Sequence, residues 1–391
     1  MKKTPQSEWK AAWRRQGDAA GWVNTDGIVE HDIDWLLDQC DGPEKAVIVL
    51  FDDSSHVVPL FTHTGSISFN FGEVELASTT VRRYALAGNF PHLSQRDWEL
   101  VLSALRAHLE TDAAVYLLGV VEGEGLCRAI RAHSTREAFW CSRHGKHYAR
   151  RFCNLADGYE AYLRSLPARH RKKLKRSLKR FEARFADYAS FSCHVSVDEV
   201  DVFLTRVEPV SNRTYQAQLL DNAVKREGHV GRQLLQGARR GNVRCYLLAI
   251  DGHPIAWRIG TVYQGTFFSQ HVGYDPDYAE WHPGVITHLY SAKDLADTPT
   301  GVTTIDLLYG DNDFKRKIST SSRQECNYYC FPKTAKGTST HAVLSLCNAI
   351  SEGCGNLLER YGVKQMLKRR VRRQGGNDQR RARRNTHNRV P

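Results

Sequence analysis

The fold is decided by a stretch that begins LLAIDGHPIAWRIG at residues 247–260 and continues TFFSQHVGYD at residues 266–275. The first run consists of two apolar arms joined by an Asp-Gly pair, a pattern that predicts a β-hairpin. The second run predicts the next strand, apolar residues at helical spacing over 285–295 predict a helix, and 303–308 predicts a final central strand. Strands that alternate with helices in this way are typical of an α/β protein.

The first half of the chain shows a less regular form of the same alternation. Apolar runs at 46–51 and 57–61 predict a hairpin of buried strands. A helix capped by Ser94 is predicted over 94–109, and a buried strand over 114–121. We therefore expect four regions: an N-terminal lobe at 1–155, a second lobe at 156–335, a helical extension at 336–374 and a disordered basic tail at 375–391.

The basicity of the chain is local. The formal net charge is +12, but residues 168–184 carry nine Lys/Arg against one Glu, and residues 364–391 carry eleven Lys/Arg against one Asp. The rest of the chain is therefore mildly acidic, so the charge of the whole chain is not by itself a nucleic-acid signal. The Arg-rich tail suits loose contact with RNA, DNA or an anionic membrane surface.

The cysteines and the absence of long apolar runs indicate the compartment. No stretch approaches the roughly 18 apolar residues of a membrane span, and the sequence starts with polar residues, so we expect a cytoplasmic protein whose ten cysteines are free thiols. One segment collects metal-binding side chains: Cys141, His144, His147 and Cys153. Their spacing matches no common zinc site, so we expect a solvated basic loop there and no metal.

Three motifs follow one another in the second half. They are YDPDY at 274–278, HPG at 282–284 and DLLYGDNDFK at 306–315, and a helix with the pattern YLRSL followed by several arginines precedes them at 162–176. Together they resemble the BioF2-like (CelD/BcsL-type) acetyltransferases of the GNAT superfamily, which are related to the FemAB-type transferases. The resemblance covers roughly residues 155–330, and this chain departs from the family pattern by having a histidine before Pro-Gly and a phenylalanine before the final lysine.

The resemblance implies a fold and a donor. It implies tandem GNAT-like lobes with mixed central sheets flanked by helices, and an acyl group supplied by acetyl-CoA or another acyl-CoA. In the related fold, two central strands part and the acyl-CoA lies in the gap, with its pyrophosphate over the N-terminus of the next helix. His282, Gly284 and Val285 occupy that helix start and are the implied cofactor-binding residues, although the usual glycine-rich phosphate signature is missing.

Five further side chains are candidates for the chemistry. Asp306 ends a strand and is a candidate proton acceptor or, alternatively, a turn ligand for the residues after it. His271 is a candidate base or a structural strand histidine, and Tyr309 is a candidate general acid or a core residue. Lys315 and Tyr274 are candidates for substrate binding, the lysine as a partner for an anionic group or, alternatively, as an ordinary exposed lysine.

These observations predict an acyltransferase that acts on an amine or hydroxyl acceptor, such as a small molecule or a saccharide or envelope precursor. Two alternatives stay open: a FemAB-type transferase that uses aminoacyl-tRNA, and a non-catalytic binding protein on a degenerate GNAT scaffold. The basic segment at 168–184, which we expect to be a helix, has three interpretations: a solvated face, a site for the phosphates of an anionic ligand such as CoA, or a nucleic-acid surface. Neither the acceptor nor the oligomeric state follows from the sequence.

Overall fold

The apolar runs form the strands of one mixed sheet in a computed structural model of the chain. The sheet has 12 strands among the residues that the structure describes, in the order β1-β2-β3-β4-β5-β12-β6-β11-β10-β9-β8-β7. Those residues are 10–14, 27–38, 46–51, 57–71, 74–88, 90, 92–214 and 223–360. The predicted fold class, mixed α/β with central strands flanked by helices, is confirmed, and the strands of the two halves join in a single sheet.

The elements have the following bounds. The strands are β1 Lys10–Arg14, β2 Ala46–Phe51, β3 Val57–Phe71, β4 Val74–Ala87, β5 Ala113–Val121, β6 Phe139–Asn154, β7 Ala189–His194, β8 Val243–Ile250, β9 His253–Tyr263, β10 Thr266–Tyr274, β11 Thr304–Asp306 and β12 Ser321–Pro332. The helices are α1 Ile33–Asp38, α2 Gln95–His108, α3 Gly125–Arg131, α4 His133–Ala138, α5 Tyr159–Ser165, α6 Ala168–Phe185, α7 Val197–Ser211, α8 His229–Arg239, α9 Pro283–Asp297, α10 Asp313–Ile318 and α11 Ala335–Arg360. Short 3-10 helices lie at Val29–His31 and Pro276–Trp281.

The N-terminal half is built from β1 to β5. The predicted hairpin is confirmed, since β2 and β3 pair antiparallel along their apolar runs. The predicted helix is α2, and Ser94 caps it as expected by accepting from the N–H of Asp97. Strands β4 and β5 precede and follow this helix in the sequence, and they pair in parallel with each other. Trp98 and Leu102 of α2 pack into the core that covers this part of the sheet.

Two strands in the middle of the sheet connect the halves. β12, which follows α10 in the chain, lies between β5 and β6 and pairs antiparallel with both. The segment with Cys141, His144, His147 and Cys153 is strand β6, so the prediction of a solvated loop there was wrong. Among the described residues, no group of three or more His, Cys, Asp or Glu side chains could hold a metal ion.

The C-terminal half carries the elements of the 247–315 stretch. β8 and β9 form the predicted hairpin, with Asp251 and Gly252 at positive φ in its turn. Helices α7 and α8 pack on one face of these strands, and α5, α6 and α9 pack on the other. One predicted bound was wrong: the final central strand predicted over 303–308 is β11, which comprises only Thr304–Asp306.

The basic helix α6 is amphipathic. Leu174, Phe181 and Phe185 are buried against the sheet and α9, while most of its Lys and Arg side chains are exposed. No helix within the described part of the chain is long and apolar enough to cross a membrane. Part of the predicted helical extension is α11, whereas the predicted disordered tail at 375–391 lies outside the described residues.

Candidate active site

Strands β10 and β11 lie side by side for a short distance and then part. Their parallel pairing comprises three residue pairs and ends where Phe268 faces Asp306, the last residue of β11. β10 continues along β9 beyond this point, with a bulge between Ser269 and His271. The ends of the two strands therefore enclose a gap, and β11 leaves the edge of β10 that faces the gap unpaired.

Arg258 holds the bulge of β10. This arginine lies on β9 and is only 2% exposed, and its Nε donates to Ser269 Oγ at 3.0 Å. Its Nη1 also contacts His288 Nδ1 and lies 3.4 Å from Ser291 Oγ, both on α9. Burial lowers the pKa of Arg258 from its usual value. A buried guanidinium bonded to β10 and α9 fixes the backbone at the point where the gap opens.

Asp306 is bound through both of its carboxylate oxygens. Arg150 Nε lies 3.1 Å from Oδ1 and 2.9 Å from Oδ2, and Arg150 Nη2 lies 2.6 Å from Oδ2. The backbone N–H of Leu308 donates to Oδ1 at 2.8 Å. Asp306 therefore holds Arg150 and the turn after β11, which is the turn-ligand alternative that its position suggested. A proton-accepting role, which would require an oxygen to leave the guanidinium, stays a prediction.

Tyr309 and Glu30 extend this network toward the N-terminal half. The Tyr309 hydroxyl donates to Glu30 Oε1 at 3.1 Å, and Arg150 Nη2 lies 3.4 Å from the same oxygen. The guanidinium of Arg150 also lies 4.7 Å from the centre of the Tyr309 ring. Burial, and next the Glu30 carboxylate, raise the pKa of Tyr309 well above its usual value. The phenol is therefore protonated at neutral pH, as the predicted general-acid role requires.

A cavity of about 360 Å³ lies beside this network and between the two halves of the sheet. We call it the inter-half cavity. Phe268 and Leu308 line it from the parting of β10 and β11, whereas Trp35 and Phe61 line it from the N-terminal half. The remaining lining side chains are Val29, Glu30, Leu36, Pro59, His63, Ala85, Ala87, Leu118, His229, Gln270 and Tyr309.

His271 lies after the bulge and lines a smaller neighbouring cavity of about 210 Å³. The two cavities share Trp35 and Gln270, and the smaller one also contains polar groups such as Asp38 and Arg240. Burial lowers the pKa of His271 to about 4, so its imidazole is unprotonated at neutral pH. Such an imidazole can accept a proton but is a weak base, and its catalytic role stays a prediction.

Lys315 binds the turn that follows β11. Its Nζ donates to the carbonyl oxygens of Leu308, Tyr309 and Gly310 at 3.3, 2.7 and 3.2 Å. Burial lowers its pKa to about 8. The ammonium group therefore positions the backbone that carries Tyr309. It is not the ordinary exposed lysine of the alternative interpretation, and the predicted contact with an anionic substrate stays a prediction.

The predicted cofactor-binding residues lie together at the start of α9. His282 is left-handed, with φ 55°, and its Nδ1 lies 3.2 Å from Ser177 Oγ of α6. Pro283 has no backbone N–H, and the backbone N–H of Val285 donates to the His282 carbonyl oxygen at 2.9 Å. Val285 also packs its side chain into the core. Gly284 thus offers the accessible backbone of this turn, and a Cβ added to it would meet only the Tyr274 ring, at 3.8 Å.

A groove of about 520 Å³ runs along α6 beside this helix start. We call it the cationic groove. The Arg180 guanidinium lies 4.4 Å from the centre of the Trp281 ring, and its Nη2 lies 3.7 Å from Glu280 Oε2. The side chains lining the groove are Arg169, Lys172, Lys173, Arg176, Ser177, Arg180, Glu280, Trp281 and His282. Five cations and one carboxylate give it a positive potential at the N-terminus of α9.

Residues 168–316 match the acetyltransferase (GNAT) domain family. We call them the GNAT segment. The segment begins with α6, includes the hairpin β8–β9 and the parting strands, and ends in α10. It covers less than half of the chain. None of the curated proteins matches the chain in sequence.

Solved structures with a similar fold share few residues with this chain. The C-terminal domain of a putative lysylphosphatidylglycerol synthetase from Agrobacterium fabrum is 13% identical, with a TM-score of 0.49 over 83% of this chain and 92% of that one. FemX is 10% identical, with a TM-score of 0.47 over 74% and 88% of the two chains. A tandem GNAT protein from the clavulanic acid biosynthesis pathway is 12% identical, with a TM-score of 0.45 over 82% and 98%.

The site combines residues from inside and outside the GNAT segment. Arg258 and the bulge lie within it, whereas Glu30 and Arg150 come from earlier in the chain. None of these three charged side chains was predicted from the sequence as a site residue. A signal existed for Arg258, which interrupts the apolar arm of the hairpin and should therefore have a buried partner. No local pattern marks Glu30, because its partners are more than a hundred residues away in sequence.

Proposed function

We propose that the chain is an acyltransferase that moves an acyl group, acetyl from acetyl-CoA, to an amine or hydroxyl acceptor. The observation that carries this proposal is the parting of β10 and β11 after Phe268 and Asp306, with the cationic groove near the start of α9. A linear donor with an anionic end and a reactive thioester end would suit this combination, in which the gap lies beside β10 and the positive groove lies at the start of the helix that follows β10. The GNAT match of residues 168–316 supports the same reaction class.

The cationic groove would receive the phosphates of the donor. CoA carries a diphosphate and a 3′-phosphate, and Arg169, Lys172 and Arg176 are lysine and arginine side chains of the kind that bind such groups. The backbone of Gly284 and the positive end of the α9 dipole add to this attraction. Side-chain cations thus take the place of the glycine-rich phosphate loop that the sequence lacks.

The reactive end of the donor would lie in the gap. Backbone N–H groups on the unpaired edge of β10 can stabilise negative charge on the thioester oxygen during attack. The acceptor nitrogen or oxygen attacks the thioester carbon, a new C–N or C–O bond forms, and the C–S bond breaks with its electron pair on sulfur. The proton that the acceptor loses ends on the CoA thiolate. We propose that unprotonated His271 takes the proton from the attacking nitrogen or oxygen and that protonated Tyr309 gives a proton to the thiolate.

Calorimetric titration of the purified chain with acetyl-CoA tests the donor. In a Lys172→Glu/Arg176→Glu variant, whose two changes reverse charge inside the groove, we expect the affinity to fall at least tenfold. A Lys175→Glu/Lys179→Glu variant is the matched control, because it makes the same charge change on α6 with residues that do not line the groove. Equal losses in both variants would mean that only the overall charge of α6 matters, and no binding to the wild type would overturn the proposal.

The cationic groove also supports the alternative donor, an aminoacyl-tRNA. Binding of tRNA through several phosphate contacts weakens steeply as salt rises, by about a thousandfold or more between 50 and 200 mM for six contacts. Titrating unacylated tRNA across that range, beside acetyl-CoA, separates the two donors. Salt-sensitive tRNA binding without acetyl-CoA binding would favour the FemAB-type reaction. Failure of both would favour the non-catalytic scaffold.

A further inference from the structure

We propose that the acceptor binds in the inter-half cavity and that its amino group donates a hydrogen bond to the Glu30 carboxylate. The part of the acceptor next to this amino group is apolar. This inference rests on the proposed acyl transfer and specifies its acceptor class and a residue that contacts it. It follows from one carboxylate oxygen, from the walls of the cavity and from the position of the cavity beside the gap.

Glu30 has a carboxylate with one satisfied and one unsatisfied oxygen. Oε1 accepts from the Tyr309 hydroxyl and lies near Arg150 Nη2. Oε2 is buried and has no hydrogen-bond partner within the described part of the chain. Buried polar atoms in native proteins nearly always have a partner, so an unsatisfied oxygen in a cavity-lining residue indicates a donor from a ligand.

The charges around Glu30 favour a cation in the cavity. Arg150 is the nearest cation, but it binds both oxygens of Asp306 at 2.6 to 3.1 Å and approaches Glu30 only through Nη2 at 3.4 Å. Among the described lining residues, Glu30 is the only acid, and none is a lysine or arginine. The other titratable groups that line the cavity are His63, His229 and Tyr309. An ammonium or amine N–H therefore complements this lining better than an anion does.

The walls of the cavity favour an apolar body on the acceptor. Trp35, Phe61 and Phe268 contribute aromatic rings, and Ala85, Ala87, Leu36, Leu118 and Leu308 contribute aliphatic surface. Aromatic faces also attract cations through their quadrupole. A volume of about 360 Å³ falls within the range of small-molecule sites. An amine on a short hydrophobic chain or ring therefore suits the cavity, whereas a free polyhydroxylated sugar would leave its hydroxyls without partners on these walls.

The position of the cavity brings such an amine to the reaction. Phe268 and Leu308 line the cavity and also flank the parting of β10 and β11, where the thioester is proposed to lie. An amine that donates one N–H to Glu30 Oε2 can direct its lone pair toward that gap. Glu30 would thus contact the acceptor directly, and Tyr309 and Arg150 would position its carboxylate.

A pair of matched probes tests the inference without any donor. The probes are 2-phenylethylamine and 2-phenylethanol, which differ only in the group offered to Glu30, and their binding to the full chain is measured by ligand-observed NMR. We expect the amine to bind wild type at least tenfold more tightly than the alcohol, because its ammonium group has a charge opposite to that of the Glu30 carboxylate, whereas the hydroxyl of the alcohol is neutral. In Glu30→Gln, the affinity for the amine should fall at least tenfold and that for the alcohol less than twofold.

Controls separate this result from misfolding and from the donor proposal. Glu110→Gln makes the same chemical change at a glutamate that does not line the cavity, and both probes should bind it as they bind wild type. Ala87→Leu fills the cavity while keeping Glu30, so both probes should be lost. Acetyl-CoA binding should be unchanged in Glu30→Gln, which distinguishes failure of this inference from failure of the donor site.

Three results would overturn the inference. They are equal affinity of wild type for the amine and the alcohol, an equal loss of both probes in Glu30→Gln, and the absence of amine binding to wild type at millimolar concentration. The comparison of the two probes on wild type needs no variant, so it holds even if Glu30→Gln fails to fold.

Discussion

Two parallel strand–helix–strand units of this sheet differ at the point where a ligand would enter. In the N-terminal half, β4 and β5 pair through six residues, and the N–H of Gly88 continues the contact by donating to the Leu118 carbonyl oxygen at 2.5 Å. In the C-terminal half, β10 and β11 pair through three residues and then part. We call β4, α2 and β5 the closed unit, because backbone pairing continues to its end. We call β10, α9 and β11 the open unit, because its two strands part.

The helices of the two units also differ, in the capping and the charge at their N-termini. The first turn of α2 is capped reciprocally, because Ser94 Oγ accepts from the N–H of Asp97 and the Asp97 carboxylate accepts from the N–H of Ser94. The start of α9 at His282 has no side-chain cap, and the five cations of the cationic groove lie beside it. A capped helix start with a carboxylate repels an anion, and an uncapped start among cations attracts one. We therefore expect the proposed phosphorylated donor to bind the C-terminal unit and not the N-terminal one.

The largest expected effect comes from the ion pair that supports the open unit. Arg150→Met should lower the free energy of unfolding by about 3–5 kcal/mol, because it leaves the Asp306 carboxylate buried without its partner. Chemical denaturation of wild type and Arg150→Met measures this difference in the free energy of unfolding. The control is Arg226→Met, which breaks an exposed pair with Asp201 and should have a much smaller effect on the free energy of unfolding, because solvent screens this pair. Similar losses in the two variants would contradict the view that the open unit depends on this buried pair.

The second effect tests the helix start directly. Gly284→Asp would give α9 an acidic first turn, as Asp97 gives α2, and the new side chain has room because only the Tyr274 ring lies near. We expect the affinity for acetyl-CoA to fall at least tenfold without loss of stability. Gly284→Asn is the matched control, since it has nearly the same shape and no charge. Unchanged affinity in the aspartate variant would place the donor phosphates elsewhere.

The third effect concerns the closed unit. Ser94→Ala removes the cap of α2 and should cost about 1 kcal/mol of stability, measured by thermal unfolding. Its affinity for acetyl-CoA should equal that of wild type, because the closed unit is not expected to bind the donor. If Ser94→Ala changed the affinity for acetyl-CoA while the protein stayed folded, the capped helix would contribute to donor binding. The proposed difference between the two units would then be wrong.

Local patterns predicted the elements on which this comparison is built. The Asp-Gly turn and its apolar arms gave the hairpin β8–β9, and the serine before a periodic apolar run gave the start of α2. Each of these signals arises from contacts within a few residues, where turn chemistry and periodicity decide the structure.

Contacts between distant parts of the chain could not be predicted in this way. Arg150 and Asp306 are 156 residues apart, and Glu30 and Tyr309 are 279 apart. The insertion of β12 between β5 and β6 also depends on pairing between distant segments. Sequence motifs therefore located the turn after β11 and the start of α9, but the partners that determine what Asp306 and Lys315 contact belong to the tertiary structure.

The smallest expected effect is a pH dependence of the turn that flanks the open gap. Burial lowers the pKa of Lys315 to about 8, below the usual 10.5 of the unfolded chain. Between these two values the unfolded state binds more protons than the folded state, so this group makes the protein more stable as pH rises from about 8 to about 10.5. Lys315→Met removes this contribution together with the three carbonyl contacts.

Unfolding by urea at pH 7, 8, 9 and 10 measures this effect. The difference in unfolding free energy between wild type and Lys315→Met should be constant below about pH 8 and should then increase in favour of wild type. Lys336→Met, at an exposed lysine paired with Asp112, should show no such increase. A difference that stays flat to pH 10 would mean that the three carbonyl oxygens stabilise the ammonium enough to offset its burial. Lys315 would then hold the turn after β11 as a permanent cation whose charge is favoured by Asp306.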